Sequence, residues 1–212
     1  MPEKSSDKPE YKTERPEDKI LKKFEWEEKE AVVKYPQENN LEDIMEVVLD
    51  VRRKREEEAK KKTTPITEEY KKMWEESIEA AQKGEILVLV IEFNGKVRGF
   101  IDIRKGCKKM NSDDLNESTL NTSQDTATIH NIAVHTGYRG KGTHFARALL
   151  DAGISEARNV LKVKKIELQT DEDNNPAIHL YENCGFESKG FDPELRHRDD
   201  KTVRRLNMEL NL

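Results

Sequence analysis

The sequence predicts an α/β domain in which helices cover a mixed sheet, and three observations carry that expectation. Two apolar runs flank Asn94-Gly95, a glycine-rich turn joins a strand to a helix at 134–144, and two earlier segments repeat apolar residues at helical spacing. Period-two and period-3.6 segments interleaved along one chain are the pattern of a layered sheet. With 212 residues, 34% apolar and 38% charged, the chain can build one core and still carry polar tails.

Residues 1–23 are rich in Lys, Glu, Asp and Pro and hold too little apolar surface to offset ordering entropy. They are expected to be a disordered tail, leaving 24–212 as the folded domain. Phe24 and Trp26 lead into a short strand at 30–35, stopped by Pro36. Leu41, Ile44, Val47, Val48 and Val51 share one helix face, and the charged run 52–62 that follows reads as a solvated helix end. Thr67 is the expected N-cap of a second helix, with Tyr70, Met73, Trp74, Ile78 and Ala81 on one side and Gly84 closing it. The runs 86–93 and 96–103 make a hairpin through Asn94-Gly95, a pair suited to a type I′ turn.

The segment 104–125 is polar and without period, and is expected to be a mobile insertion between strands. Order resumes with a strand at 127–134, a helix at 142–159 and a strand at 164–170. Asn175 as N-cap and Pro176 at the first position announce another helix to 184, ended by Gly185. Two last strands are expected at 186–191 and 203–211, with Arg196-His197-Arg198 in a solvated loop between them.

The net charge of −5 gives no global attraction to nucleic acid or to anionic membranes. No run approaches the ~18 consecutive apolar residues of a membrane span, and no secretion signal begins the chain, so the expectation is a soluble cytoplasmic protein, a monomer or homodimer. Cys107 and Cys184 fit neither a metal motif nor a disulfide framework, and no metal is expected.

The turn 134–144 carries chemistry. Gly137, Gly140 and Gly142 permit positive φ and let a ligand approach the main chain, while the next helix offers unpaired N–H groups and the positive end of its dipole. Arg139 and Lys141 add charge, so the turn suits a phosphate-bearing cofactor. A Walker loop needs Gly-Lys followed directly by Ser or Thr, but Gly142 separates Lys141 from Thr143. The glycine spacing is not that of a dinucleotide loop either.

Arg139-Gly140-Lys141-Gly142-Thr143-His144 resembles the acyl-CoA loop of the GNAT N-acetyltransferase superfamily, preceded by the Ile132-Ala133-Val134 strand end that family also shows. His144 departs from the pattern, standing where Gly or Ala is usual. The stretch from Asn175 through Tyr181 to Gly185-Phe186 resembles the second GNAT signature, in the right order and about 30 residues on. The run from Leu168 to Phe186 looks closest to small-amine acetyltransferases of the streptothricin type. The resemblance implies the GNAT fold: a mixed, mostly antiparallel sheet whose two parallel central strands splay apart, flanked by helices. It implies acetyl-CoA as cosubstrate, held by Ile132, Ala133, Val134, Arg139, Gly140, Lys141, Gly142, Thr143, His144 and Asn175, with pantetheine against the open backbone of Ile132 and Val134.

The implied activity is direct acetyl transfer to a primary amine of a small molecule or of a protein or peptide. Tyr181 matches the family's general acid, a phenol of pKa near ~10 facing a leaving thiolate whose parent pKa is about 8.5. The family's two usual base positions fall on Thr128 and Gln169, neither of which titrates usefully. His130, with the strand parity of Thr128, is the substitute candidate, and water-relayed deprotonation the fallback. A weak base leans toward low-pKa acceptors: deprotonating a lysine-like amine at pH 7 costs about 4.6 kcal/mol, an α-amine only about 1.4. The alternative reading is an acyl-CoA-binding regulatory module with little turnover.

Overall fold

Asn94 and Gly95 both take positive φ, 55° and 69°, and their turn joins β3 (Leu87–Phe93) to β4 (Lys96–Lys105) as the sequence predicts. The structure, a computed structural model, describes residues 19–61, 65–84, 86–106, 125–140, 142–198 and 201–212. In chain order these form β1 (Ile20–Trp26), β2 (Lys29–Lys34), α1 (Leu41–Glu58), α2 (Glu68–Gln82), β3, β4, β5 (Thr126–Val134), α3 (Phe145–Asn159), β6 (Lys165–Asp171), α4 (Asn175–Glu182), β7 (Glu187–Phe191), β8 (Arg196–Arg198), β9 (Lys201–Val203) and β10 (Arg205–Asn211). Eight strands share one sheet in the order β1-β2-β3-β4-β5-β6-β10-β7, and β8 with β9 makes a separate ribbon. Of the strand pairs, β5–β6 is parallel and the others antiparallel, the mixed topology expected.

The two faces follow from strand alternation. Leu87, Leu89, Ile91 and Phe93 of β3 face α3, while Val88 and Val90 face α1 and α2 with Ile44, Val47, Trp74 and Ile78. β3 is therefore buried on both sides, which its unbroken apolar run encodes. Fully burying one such side chain contributes about 1.5–3 kcal/mol, so these layers hold the helices firmly against the strands that build the site. Thr67 caps α2 as expected, its hydroxyl accepting from the Tyr70 amide at 3.2 Å.

Three expectations change. β1 begins at Ile20, inside the segment read as a tail; residues 1–18 lie outside the described residues. The reason is local: Phe24 and Trp26 leave a charged strand to pack against Phe145 of α3, each with ring centroids at 5.8 Å. Composition places the two aromatics in the folded domain but not the strand Ile20–Lys23 that leads into them. α1 continues through the charged run to Glu58, as read from the sequence, but Glu56 within that run is buried rather than solvated. The last strand divides at Arg204, whose guanidinium binds Glu172 at 2.7 Å. The polar insertion sits between β4 and β5 as expected, with 107–124 outside the described residues.

Candidate active site

β5 and β6 pair from Thr126↔Lys165 to Thr128↔Glu167 and then separate. Above that point β5 continues along β4, where the opposed residues Arg98 and His135 are hydrogen-bonded, the His135 amide donating to the Arg98 carbonyl at 2.8 Å. Antiparallel pairing alternates, so Ala133 shares that orientation and points its backbone groups at Phe100. Ile132 and Val134 therefore aim their N–H and C=O groups the other way, into the gap left by β6. Backbone groups in such a gap are costly unless something pairs with them.

The gap opens into a cleft of about 960 Å³, lined by Ile132 and Val134 on one side and by Asn174, Ala177, Leu180 and Tyr181 on the other. Its mouth carries the turn: Arg139, Gly140, Gly142, Thr143 and His144 all line it. Gly140 and Gly142 have φ of 66° and 70°, and no atom lies within 4 Å of where a side chain would stand on either, leaving room for a ligand against the main chain. Lys141, between them, lies outside the described residues. His144 is left-handed too, with φ 56°, and its side chain does not cap α3; the Phe145 amide donates to the Thr143 hydroxyl at 3.5 Å, and the Ala146 and Arg147 amides remain available to an anion.

Below the turn, an aromatic floor fixes the start of α3. Phe145 stacks on Tyr138 with centroids 5.7 Å apart and planes 11° from parallel, and Phe93 and Trp26 close around them. Such pairs add roughly 0.5–1.5 kcal/mol beyond area burial. Thr143 donates its hydroxyl to the Tyr138 carbonyl at 2.7 Å, and Arg139 Nε donates to the Val134 carbonyl at 2.7 Å. Arg147, in the first turn of α3, reaches the Asn183 carbonyl at the end of α4 at 3.0 Å.

Tyr181 is 6% exposed, and among the described residues its hydroxyl has no hydrogen-bond partner. Burial, with Cys184 nearby, pushes its pKa up to about 12. The hydroxyl therefore keeps its proton at neutral pH.

His130 lies elsewhere. It is the extra residue of a β-bulge, with Ile129 opposite Ile103 and Asn131 opposite Asp102. Its ring is packed beside Asp102 and Arg104 and does not line the cleft; both ring nitrogens are buried with no partner among the described residues. Burial lowers its pKa to about 4, Asp102 opposing that effect and Arg104 adding to it. Gln169 is also committed, its amide donating to Asp192 and Asn207 at 2.8 Å each. Ala133 packs toward α1 and α2 rather than the cleft. Asn175 does not line the cleft either; α4 starts one residue earlier than expected, with Asn174 at the N-cap and in the cleft wall.

The sequence reading missed a third wall. Val51, Lys54, Arg55 and Glu58 of α1 line the cleft, as do Asp171, Asp173 and Val203. No local signal marks the α1 residues or Val203, because they arrive from elements distant in the chain, while Asp171 and Asp173 directly precede Asn174.

Comparison with known proteins comes to the same fold. A family model described as the Acetyltransferase (GNAT) family matches residues 49–186. The spermidine N(1)-acetyltransferase of Vibrio cholerae serotype O1 is 37% identical over 59 residues, 28% of this chain, and the match spans 33% of that protein's length. An N-acetyltransferase from Staphylococcus aureus Mu50 superposes with a TM-score of 0.66 at 21% identity, covering 85% of this chain and 98% of its own. The Salmonella typhimurium protein yncA, solved with its cofactor acetyl-CoA, gives 0.63 at 18% identity, covering 85% and 93%.

Proposed function

The chain belongs to the acetyltransferase (GNAT) family, and from that premise we propose that it transfers the acetyl group of acetyl-CoA to a primary amine of a small molecule or of a protein or peptide, by direct attack. The observation that carries the reading is the splay of β5 from β6, which leaves both backbone groups of Ile132 and the Val134 amide open toward a cleft that Tyr181 also lines.

The residues fit the donor. Ile132 and Val134 would pair with an amide-bearing arm, and the turn from Arg139 to His144 with the α3 amides would hold phosphates. Acetyl-CoA supplies a thioester: the amine nitrogen forms a bond to the carbonyl carbon, the carbon–sulfur bond breaks, and the amine proton ends on the sulfur or in solvent. Burial pushes the Tyr181 phenol up to about 12, so it still holds its proton when the thiolate departs. Its role is to donate a hydrogen bond to the departing sulfur as charge develops there. Neither Thr128 nor Gln169 titrates, and His130 stands off the cleft, so the acceptor loses its proton to water or to one of the carboxylates that line the cleft, Glu58, Asp171 and Asp173. That arrangement favours acceptors that are already partly neutral. The Vibrio relative is named for spermidine, which supports including polyamines among the acceptors tested.

The test is thiol release from acetyl-CoA across a panel of polyamines, small monoamines and peptides with free α-amines, with products identified by mass. Acceptor-dependent release is the expected result. That neither Thr128 nor Gln169 is a carboxylate favours the second reading, a binding module with little turnover; acetyl-CoA binding without release across the whole panel would establish that reading instead.

A further inference from the structure

Asp50 reaches from α1 to the donor turn, 86 residues away in the chain. Its Oδ2 accepts from the Thr136 amide at 2.6 Å and its Oδ1 from the Thr136 hydroxyl at 2.9 Å. Oδ1 also lies 3.6 Å from Nε2 of His135. The His135 ring is itself oriented, since Nδ1 accepts from the Gly137 amide at 3.1 Å. Accepting at Nδ1 leaves the neutral ring's proton on Nε2, facing Asp50. Gly137 suits this packing: a side chain there would come 3.3 Å from Nδ1. One carboxylate thus fixes the residues that connect the end of β5 to Arg139, and Arg139 in turn lies in the field of Asp50 and Glu58.

We propose that Asp50 is a positioning residue for the cosubstrate, acting through Thr136 and His135 to hold the 135–144 turn at the height where Arg139 and the glycine amides meet the phosphates. This rests on the acetyl-CoA reading of the cleft. Asp50 touches no reacting atom. Its effect falls on cosubstrate affinity, because the turn is the part of the site it restrains, and Tyr181 on α4 has no bond to it.

Calorimetric titration of the full chain with acetyl-CoA, alongside thermal melts, tests the proposal. Asp50→Ala removes acceptors for two donors and is expected to weaken binding about tenfold. The KM for acetyl-CoA rises in step, while kcat at saturation stays within about twofold. Asp50→Asn keeps an acceptor for the Thr136 amide and is expected to recover affinity to within about threefold. Thr136→Val removes only the hydroxyl contact and serves if Asp50→Ala does not fold; about threefold weaker binding is expected. Wild-type affinity in folded Asp50→Ala, or in Thr136→Val if the former is unfolded, overturns the proposal. Equal weakening by Ala and Asn does so too. A wild-type chain that does not bind acetyl-CoA at all overturns the acetyl-CoA reading itself, and this inference with it.

Discussion

The Arg139 side chain folds back to donate from Nε to the carbonyl of Val134, 2.7 Å away, so the residue that bears the turn's charge also ties that turn to the strand leading into it. The bond makes Arg139 a structural member of the cleft wall as well as a cation at its mouth. One of the groups that β5 aims into the gap, the Val134 carbonyl, is thereby satisfied, while the Val134 amide and both backbone groups of Ile132 stay directed at the cleft.

Replacing Arg139 with Ala is therefore expected to weaken acetyl-CoA binding by about ten- to a hundredfold, the range for losing one or two charge-assisted hydrogen bonds. Arg139→Lys keeps the charge but not the Nε geometry and should fall between. Calorimetric affinities of the two variants check the order; Lys equal to Ala would show that geometry alone matters.

Tyr181→Phe is expected to lower kcat by roughly ten- to a hundredfold with little change in acetyl-CoA affinity. Because burial pushes the phenol up to about 12, the hydroxyl stays protonated throughout the measurable range. The wild-type profile of kcat should accordingly show no fall on the alkaline side up to about pH 10 that Tyr181→Phe abolishes. A kcat equal to wild type removes Tyr181 from the chemistry.

His130 predicts how stability responds to acid. Its folded pKa of about 4 lies below the ordinary 6.5, so between those values the unfolded chain binds more protons than the native one. The stability it permits is complete above about pH 6.5, declines as pH falls through the window, and is lost below about 4, a total on the order of 3 kcal/mol. Denaturant unfolding at pH 7.5 and pH 5 measures this, and His130→Gln should flatten that part of the slope.

His144 adopts a left-handed backbone that costs a non-glycine residue about 1–2 kcal/mol. His144→Gly is expected to relieve that strain, leaving thermal stability equal or higher. Its effect on the KM for acetyl-CoA then reports on the imidazole: a rise means it contacts a phosphate, a fall means it only crowds the turn.

Gly99 lies in β4 opposite Val134, where a side chain would come 2.7 Å from the Ala133 carbonyl and 3.1 Å from the Val134 side chain. A backbone atom cannot step aside as a side-chain tip can. Gly99→Ala should destabilise by about 1–3 kcal/mol and displace β5 where it borders the cleft. Unfolding midpoints together with acetyl-CoA affinity test both consequences.

Much of this molecule is legible in the chain itself, wherever the cause is local. The Asn94-Gly95 turn, the Thr67 cap and the glycine turn each depend on neighbours within a few residues, and each stands where the sequence puts it. The same holds for the order of elements except β1 and the β8–β9 ribbon, the latter formed where the sequence predicts a loop at 196–198. His130 keeps the face of Thr128, beside Asp102 and Arg104, but its ring is buried there and does not line the cleft, a placement set by how β4 and β5 pair at the bulge and not by either strand alone. The tail ended early because Phe24 and Trp26 find Phe145 across the sheet, a partner that composition cannot supply. Tertiary structure alone decided the third wall of the cleft and the Asp50–Thr136 bond, since contacts between residues 86 positions apart leave no period or spacing to read. The sequence thus determined where the glycine turn stands between strand and helix; packing determined what holds that turn in place.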